Sequence, residues 1–139
     1  MRHLLATFLM LLSFTTQAEE ALMLYGGDGH KQFLGCLNCS KYDGNALCNK
    51  YGQSGSKYSS ESIWNKYGNF GSKYSNFSPW NKYSASAPII VDKNGNSYGY
   101  FSANKYHPNR TRYSPFLALL DLVVANDDLE AARDAYCGD

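Results

Sequence analysis

The four cysteines are the residues in this chain whose type and spacing most clearly allow chemistry. They are Cys36, Cys39, Cys48 and Cys137. An even number of cysteines is typical of a disulfide framework in an exported protein, so we interpret them as two structural disulfides. We expect one of these disulfides to tie Cys137 to the amino-terminal cluster.

Two other uses of the cysteines stay open as alternatives. Cys36 and Cys39 form a C-x-x-C pair, which could act as a thiol–disulfide oxidoreductase. Residues 32–38 predict a strand, however, whereas a reactive thiol of that kind sits at the start of a helix. The same pair could hold zinc in an interaction module, but Cys48 and Cys137 are 89 positions apart and supply no second close pair.

Hydrolysis is the remaining catalytic possibility, with His107 as the base for one of many serines. No Gly-x-Ser-x-Gly nucleophile elbow points to a partner serine, so we interpret His107 as a polar loop residue. Asp127 and Asp128 stand where a helix begins and are explained by the helix dipole. The sequence therefore predicts a protein that is not an enzyme and that uses neither a cofactor nor a metal.

A tandem repeat fills the middle of the chain. Residues 39–54, 55–70 and 71–86 read CSKYDGNALCNKYGQS, GSKYSSESIWNKYGNF and GSKYSNFSPWNKYSAS. Lys-Tyr pairs begin at positions 41, 50, 57, 66, 73 and 82, with gaps that alternate between nine and seven. Cys48 takes the position of Trp64 and Trp80, which favours a disulfide in place of aromatic packing at the end of the array.

The blocks are rich in aromatic residues and poor in aliphatic ones. They hold ten aromatic residues, against only Leu47 and Ile63 as large aliphatic ones, so any core must use aromatic rings. We expect each block to contain a short extended Ser-Lys-Tyr-Ser piece and then a tight turn. The predicted aromatic core consists of Tyr58, Trp64, Tyr74 and Trp80.

The flanking segments predict strands and helices. Residues 22–38 and 88–101 each have the pattern of a hairpin, with Asn94-Gly95 as the clearest turn. Residues 114–137 predict one or two helices, the second opened by an Asp127–Glu130 capping box. The predicted fold class is α+β: short strands and hairpins around an aromatic 16-residue repeat, with one or two C-terminal helices.

The first residues have the features of an export signal. Arg2 precedes an apolar run from Leu4 to Phe14 that is too short to span a bilayer, and small residues follow it. We interpret residues 1–18 as a signal peptide and residues 19–139 as a single disulfide-stabilised domain. The predicted location is periplasmic or secreted, with no membrane span after cleavage.

Charge is unevenly distributed along the chain. Residues 39–86 carry six lysines against two carboxylates, whereas residues 114–139 carry six carboxylates against Arg133 alone. One interpretation is that the acidic tail neutralises the basic body within the molecule. The other is that the body binds an anionic polymer. The candidate ligand-binding residues are Lys57, Lys66, Lys73, Lys82, Arg110 and Arg112.

The repeat pattern Ser-x-Tyr-Ser-x-x-Ser-x-Trp-Asn-x-Tyr-Gly resembles a group of small exported bacterial proteins. It is led by Gly-Cys-Leu-Asn-Cys at 35–39 and followed by Ile-Ile-Val-Asp at 89–92 with Gly95. The resemblance spans residues 25–106 and implies a cell-envelope or extracellular location, without implying any catalytic residue. We therefore expect an exported binding or structural domain whose partner is an anionic polymer, a polysaccharide or another envelope component.

Overall fold

The fold joins a small sheet to two carboxyl-terminal helices. The computed structural model describes residues 20–139, so the predicted signal peptide lies outside the described residues. The strands are β1 (Met23–Gly26), β2 (Gln32–Cys36), β3 (Ile89–Val91) and β4 (Ser97–Tyr100), and the helices are α1 (Ser114–Asn126) and α2 (Leu129–Cys137). This arrangement confirms the predicted α+β class.

The four strands form one antiparallel sheet in the order β2-β1-β3-β4. Both predicted hairpins are present, and the blocks at 39–86 lie between them in the chain. The central strands pair in a register that sets Leu24 opposite Ile90, and both side chains are fully buried. In the second hairpin, Gly95 has a φ of 83°, which explains the glycine at this turn.

Helix α1 packs its apolar residues into the core, and α2 follows it in the chain. Phe116, Leu119 and Leu120 of α1 are buried, in keeping with its apolar periodicity. The predicted capping box of α2 is wrong by one residue. Asp128 caps the helix by accepting a hydrogen bond from the Ala131 N–H, whereas Asp127 ends α1 in the left-handed conformation. Among residues 20–139, no helix has the length and apolarity that a membrane crossing requires.

Turns rather than extended segments build the three blocks. In the described chain, residues 39–86 contain no strand and no helix, so the predicted extended piece is wrong. In these turns a backbone N–H instead donates to the carbonyl three residues earlier, for example Ser59 to Ser56 and Ser62 to Ser59. Serine and asparagine side chains begin these turns, because their oxygens accept from the N–H two residues on and compete with a sheet ladder.

A column of stacked rings forms the core beneath the blocks. Trp64 and Trp80 are each only 3% exposed and are stacked with ring centroids 5.6 Å apart, so their predicted burial is confirmed. Each indole N–H donates to a carbonyl of the block before it, Trp64 to Leu47 at 2.7 Å and Trp80 to Ile63 at 2.6 Å. Phe101 continues the column with an edge-on contact to Trp80.

The prediction that Tyr58 and Tyr74 belong to the aromatic core is wrong. Tyr58 and Tyr74 are each 82% exposed. Each occupies a central position of a Ser-Lys-Tyr-Ser turn, beside a lysine whose ammonium must stay in water. The aliphatic side chains of Leu47 and Ile63, which are fully buried, contribute to the core together with the two tryptophans.

Two disulfides cross-link the described part of the chain. Cys36 bonds to Cys39, and Cys48 bonds to Cys137, which confirms the predicted tie between the tail and the amino-terminal cluster. Beside the second disulfide, Arg133 of α2 is buried with its guanidinium 5.7 Å from the centroid of the Trp64 ring. It also donates to the carbonyl of Gly55 at 3.2 Å. Arg133 therefore covers the end of the ring column at Trp64, the tryptophan of the second block.

Candidate functional site

The turns in the blocks present every lysine–tyrosine pair to solvent. In the Asn-Lys-Tyr turn at 65–68, the Asn65 side-chain oxygen accepts from the Tyr67 N–H at 3.1 Å, and the Gly68 N–H closes the turn at 3.0 Å onto the Asn65 carbonyl. Ser56 does the same for Tyr58 at 3.2 Å. Lysine and tyrosine thus fill the two central positions of each turn. The tyrosines that follow the six lysines of the blocks are 80–98% exposed.

Five of the six lysines in the blocks lie close to the ring of their own tyrosine. In five pairs the ammonium nitrogen is 5.2–5.7 Å from the ring centroid, within the range of a cation–π contact. The contact holds a positive charge against an aromatic face. A lysine–tyrosine unit of this kind can bind an anion through the ammonium while the ring packs against an apolar surface of the same ligand.

The pairs fall into two rows, named here by the residue that opens the turn. The Ser row consists of Lys41-Tyr42, Lys57-Tyr58 and Lys73-Tyr74, and the Asn row consists of Lys50-Tyr51, Lys66-Tyr67 and Lys82-Tyr83. Neighbouring pairs in a row belong to successive blocks. The tryptophans of two successive blocks stack on each other in the core. Like charges arranged in rows repel one another, which favours an anionic partner.

A further Asn-Lys-Tyr turn follows β4 and was missed by the sequence analysis. The Asn104 side-chain oxygen accepts from the Tyr106 N–H at 3.0 Å, and Tyr106 is 94% exposed. The Ala103 N–H donates to the Pro79 carbonyl at 2.7 Å, as each indole donates to the block before it. The tripeptide itself was the available signal, but its distance from Lys82 does not fit the sixteen-residue spacing.

The acidic tail pairs with the Ser row. Glu130 lies 3.1 Å from the Lys57 ammonium, and Asp127 lies 2.8 Å from that of Lys73. The hydrogen bond that each ammonium donates to its carboxylate raises the pKa of the lysine above the ordinary value, with a smaller contribution from the carboxylate charge. Neutralisation of the body by the tail, one of the two interpretations of the charge pattern, is thus present at these two lysines.

The Asn row has weaker ties to the tail. Lys50 is 3.7 Å from Asp139, at the margin of an ion pair. Lys66, Lys82 and Lys105 have no ion-pair partner among residues 20–139. The same type of turn therefore presents closely paired lysines at 57 and 73 and unpaired ones at 66 and 82. Lys41 of the Ser row also has no ion-pair partner among residues 20–139.

A groove of about 1590 Å³ runs between the blocks and the helical tail. The rings of Trp64 and Trp80 line it, together with lysine–tyrosine pairs of both rows. Carboxylates of the segment from α1 to α2, including Asp127 and Glu130, line it from the tail. The groove thus has basic aromatic groups contributed by the blocks and acidic groups contributed by the tail.

The two candidate arginines lie apart from this groove. They line a smaller hollow of about 440 Å³ with Tyr98 and Tyr100. Arg110 donates to the Ser102 carbonyl at 2.7 Å and pairs with Asp121 at 3.3 Å, so it supports the loop and is not an open cation. Arg112 is exposed at the edge of the hollow. The structure does not bring Arg110 and Arg112 together with the four candidate lysines.

The residues considered for catalysis, Cys36, Cys39 and His107, make contacts that support the fold. Cys36 is fully buried at the end of β2 and is bonded to Cys39, so the C-x-x-C pair does not stand at a helix start. No described cysteine is free, and residues 20–139 contain no group of three or more His, Cys, Asp or Glu side chains placed to hold a metal ion. His107 packs against Tyr100, and its Nδ1 accepts from the Asn109 N–H at 3.1 Å.

Comparison of the chain with protein-family models, with curated proteins and with solved structures gave no match.

Proposed function

We propose that this protein is a non-enzymatic binding domain that holds an anionic polymer or polysaccharide against its rows of lysine–tyrosine pairs. The observation that supports the proposal best is the exposure of the paired tyrosines, which reaches 98% at Tyr51. A single exposed tyrosine on a protein surface is ordinary. Equivalent turns that expose the same pair in every block form a repeated surface instead, and a repeated surface suits a repeated ligand.

The two side chains of a pair contribute different parts of the affinity. The ammonium attracts an anionic group over several ångströms, and this attraction weakens as salt screens it. The tyrosine ring provides a flat apolar face with few side-chain torsions to immobilise, so packing a sugar ring on it costs little entropy. Weak contacts of this kind become useful when several act on one chain, because each bound unit raises the effective concentration of the next.

We place this function outside the cytoplasm, in the periplasm or the extracellular space. The two disulfides are compatible with an oxidising compartment. The basic start and apolar run at residues 1–18 support the same location. A polymer of the cell envelope or of the surrounding matrix is then the partner that the domain meets.

Polymer binding is tested with the disulfide-bonded protein and a panel of polymers. We expect polyanions to bind at low ionic strength and their affinity to fall steeply as salt is added. Replacing Lys57, Lys66, Lys73 and Lys82 with glutamine should weaken binding together, while circular dichroism and the melting temperature stay near those of the parent. Absence of binding to every polyanion at about 20 mM salt, where screening over molecular distances is weak, would overturn the proposal.

A further inference from the structure

The ion pairs of the Ser row show which chemical group a lysine–tyrosine unit holds. Lys57 and Lys73 occupy equivalent positions in successive blocks, and each has a carboxylate oxygen at 3.1 or 2.8 Å from its ammonium. In both units the ammonium also stays within 5.4 Å of its own tyrosine ring. The unit therefore accommodates a carboxylate without giving up the cation–π contact.

The Asn row repeats this unit where the tail supplies little charge. Lys66 and Lys82 lie 5.2 and 5.3 Å from their rings, as in the Ser row. Both are exposed, and neither has an ion-pair partner within residues 20–139. The turn at Asn104 adds another exposed lysine and tyrosine of the same tripeptide. Carboxylates from outside the molecule can occupy the positions that the tail carboxylates occupy in the Ser row.

The two side chains of a unit favour a sugar chain that carries carboxylates. The ammonium groups of Lys57 and Lys73 each hold a carboxylate oxygen, while the tyrosine rings beside them, Tyr58 and Tyr74, stay 82% exposed. An exposed tyrosine ring offers a flat, largely apolar face with few torsions to immobilise, which suits packing against the face of a sugar ring. A polymer that carries carboxylates on its sugars therefore meets both side chains of a unit.

From these contacts we infer that the Asn row, at Lys66-Tyr67 and Lys82-Tyr83, binds an acidic polysaccharide through the carboxylates of its sugars. Each lysine takes one carboxylate, and each tyrosine ring packs against the sugar that carries it. Lys57 and Lys73 of the Ser row contribute less to polymer binding because tail carboxylates already pair with them. This inference rests on the proposed function and names both the row that performs it and the class of ligand.

Matched probes and matched variants test the inference. Polygalacturonate carries one carboxylate per sugar, and its fully methyl-esterified form has the same backbone without the charge. We expect the first to bind the disulfide-bonded protein at low salt and the second to bind at least ten-fold more weakly. The variant Lys66→Gln/Lys82→Gln should lose about ten-fold in affinity for polygalacturonate, since it removes two exposed charge contacts.

Two further variants serve as comparisons with the same change of charge. Lys57→Gln/Lys73→Gln alters the Ser row in the same two blocks and should lose less than about three-fold, because those lysines are already paired. Lys31→Gln/Lys93→Gln alters exposed lysines outside both rows and should bind like the parent. An equal loss in the two row variants would overturn the assignment to the Asn row while leaving polymer binding intact.

The choice of polysaccharide is tested separately from the choice of row. Poly-L-glutamate and single-stranded poly-dT present the same sign of charge on other backbones. If either binds more tightly than polygalacturonate at equal charge concentration, the sugar assignment is wrong, although an anionic polymer would still be the ligand. If none of the polyanions binds, the proposed function fails together with the inference.

Discussion

Trp64 and Trp80 show how a single side chain can connect one block to the next. Each indole packs on a neighbouring ring and donates its N–H to a carbonyl of the preceding block. The tyrosines of the same blocks contribute neither contact to the core, because they stand at the outer positions of turns. Within the blocks, tryptophan therefore forms the core, whereas tyrosine lies at the surface.

Removing a tryptophan should therefore cost far more stability than removing a tyrosine. We expect Trp80→Ala to lower the free energy of unfolding by about 3–5 kcal/mol, because it leaves a cavity and an unpaired Ile63 carbonyl. The matched variant Tyr74→Ala should change it by less than about 0.5 kcal/mol, since that ring is exposed. Urea denaturation followed by circular dichroism measures both. Equal losses would show that Tyr74 belongs to the core after all.

Asp92 should give the protein an acid-sensitive hairpin. Hydrogen bonds from Asn96, and then from Tyr98 and Asn94, lower the pKa of Asp92 below its ordinary value of 3.8. A lowered pKa means that the folded state favours the carboxylate, so Asp92 stabilises the fold above that ordinary value. This contribution is lost as pH falls through the lower folded value. We expect the melting temperature of the Asp92→Asn variant to fall less than that of the parent as pH is lowered through this range. A curve of melting temperature against pH that runs parallel to that of the parent would contradict the assignment.

At the scale of the elements, the blocks are built from consecutive turns that leave room only for certain residues. Gly55 and Gly71 hold equivalent positions in successive blocks. A Cβ added at Gly55 would lie 1.8 Å from the Asn49 carbonyl oxygen, and one at Gly71 would lie 2.0 Å from that of Asn65. The backbone of one turn thus passes directly against the next, and glycine is the residue that permits it.

The close approach at these glycines predicts a large effect from one methyl group. We expect Gly71→Ala to destabilise the protein by about 3 kcal/mol or more, because the obstructing atoms are backbone and cannot rotate away. Gly44→Ala is the control, since no atom lies within 4 Å of its added Cβ. Melting temperatures of the two variants make the comparison, and a Gly71→Ala protein as stable as Gly44→Ala would refute this account of the turns.

The sequence predicts the flanking elements well because their signals are local. The apolar run Ile89–Val91 and the alternating residues Ser97–Tyr100, on either side of the Asn94-Gly95 turn, determine the second hairpin. Pro115 and the apolar periodicity that follows it determine α1. The conformation of the blocks could not be predicted in the same way. Serine at positions 56, 59 and 62, followed by Asn65, suits both an extended strand edge and a chain of turns. Only the side-chain hydrogen bonds at Ser56 and Ser62 distinguish the two conformations.

The candidate site could be predicted in part. Burial of Trp64 and Trp80 follows from their regular spacing and from the need of the indole N–H for a partner. The exposure of Tyr58 and Tyr74 could not be derived from composition, because tyrosine suits both the core and the surface. The pairing of Lys57 with Glu130 joins residues 73 positions apart, and no local pattern specifies such a contact.

At the scale of the whole molecule, the Cys48–Cys137 disulfide joins the first block to the end of α2. The bond keeps the acidic tail beside the blocks, where its carboxylates meet the Ser row. Arg133 and Tyr136 assist it, the second by donating to the Leu37 carbonyl at 2.7 Å. The pairing of Lys57 and Lys73 with the tail, which Lys66 and Lys82 lack, thus depends on where the tail is attached.

Loss of this long-range bond should destabilise the fold more than loss of the short-range one. Cys48→Ser/Cys137→Ser opens a loop of 89 residues, which the chain-entropy treatment values at about 4–5 kcal/mol. Cys36→Ser/Cys39→Ser opens a loop of 3 residues and should cost about 1.5 kcal/mol by the same treatment. Guanidinium denaturation under non-reducing conditions gives both values. The reverse order would contradict the role assigned to the tail.

The most direct test of polymer binding by the lysine–tyrosine rows is an NMR titration of protein that carries ¹³C-labelled tyrosine rings. Added polygalacturonate should shift the ring signals of Tyr67, Tyr83 and Tyr106, while those of Tyr25 and Tyr136, which lie outside the rows, stay in place. The shifts should reverse when salt is added, because the contacts depend on charge. Unchanged signals from Tyr67 and Tyr83 at saturating polymer and low salt would contradict the account.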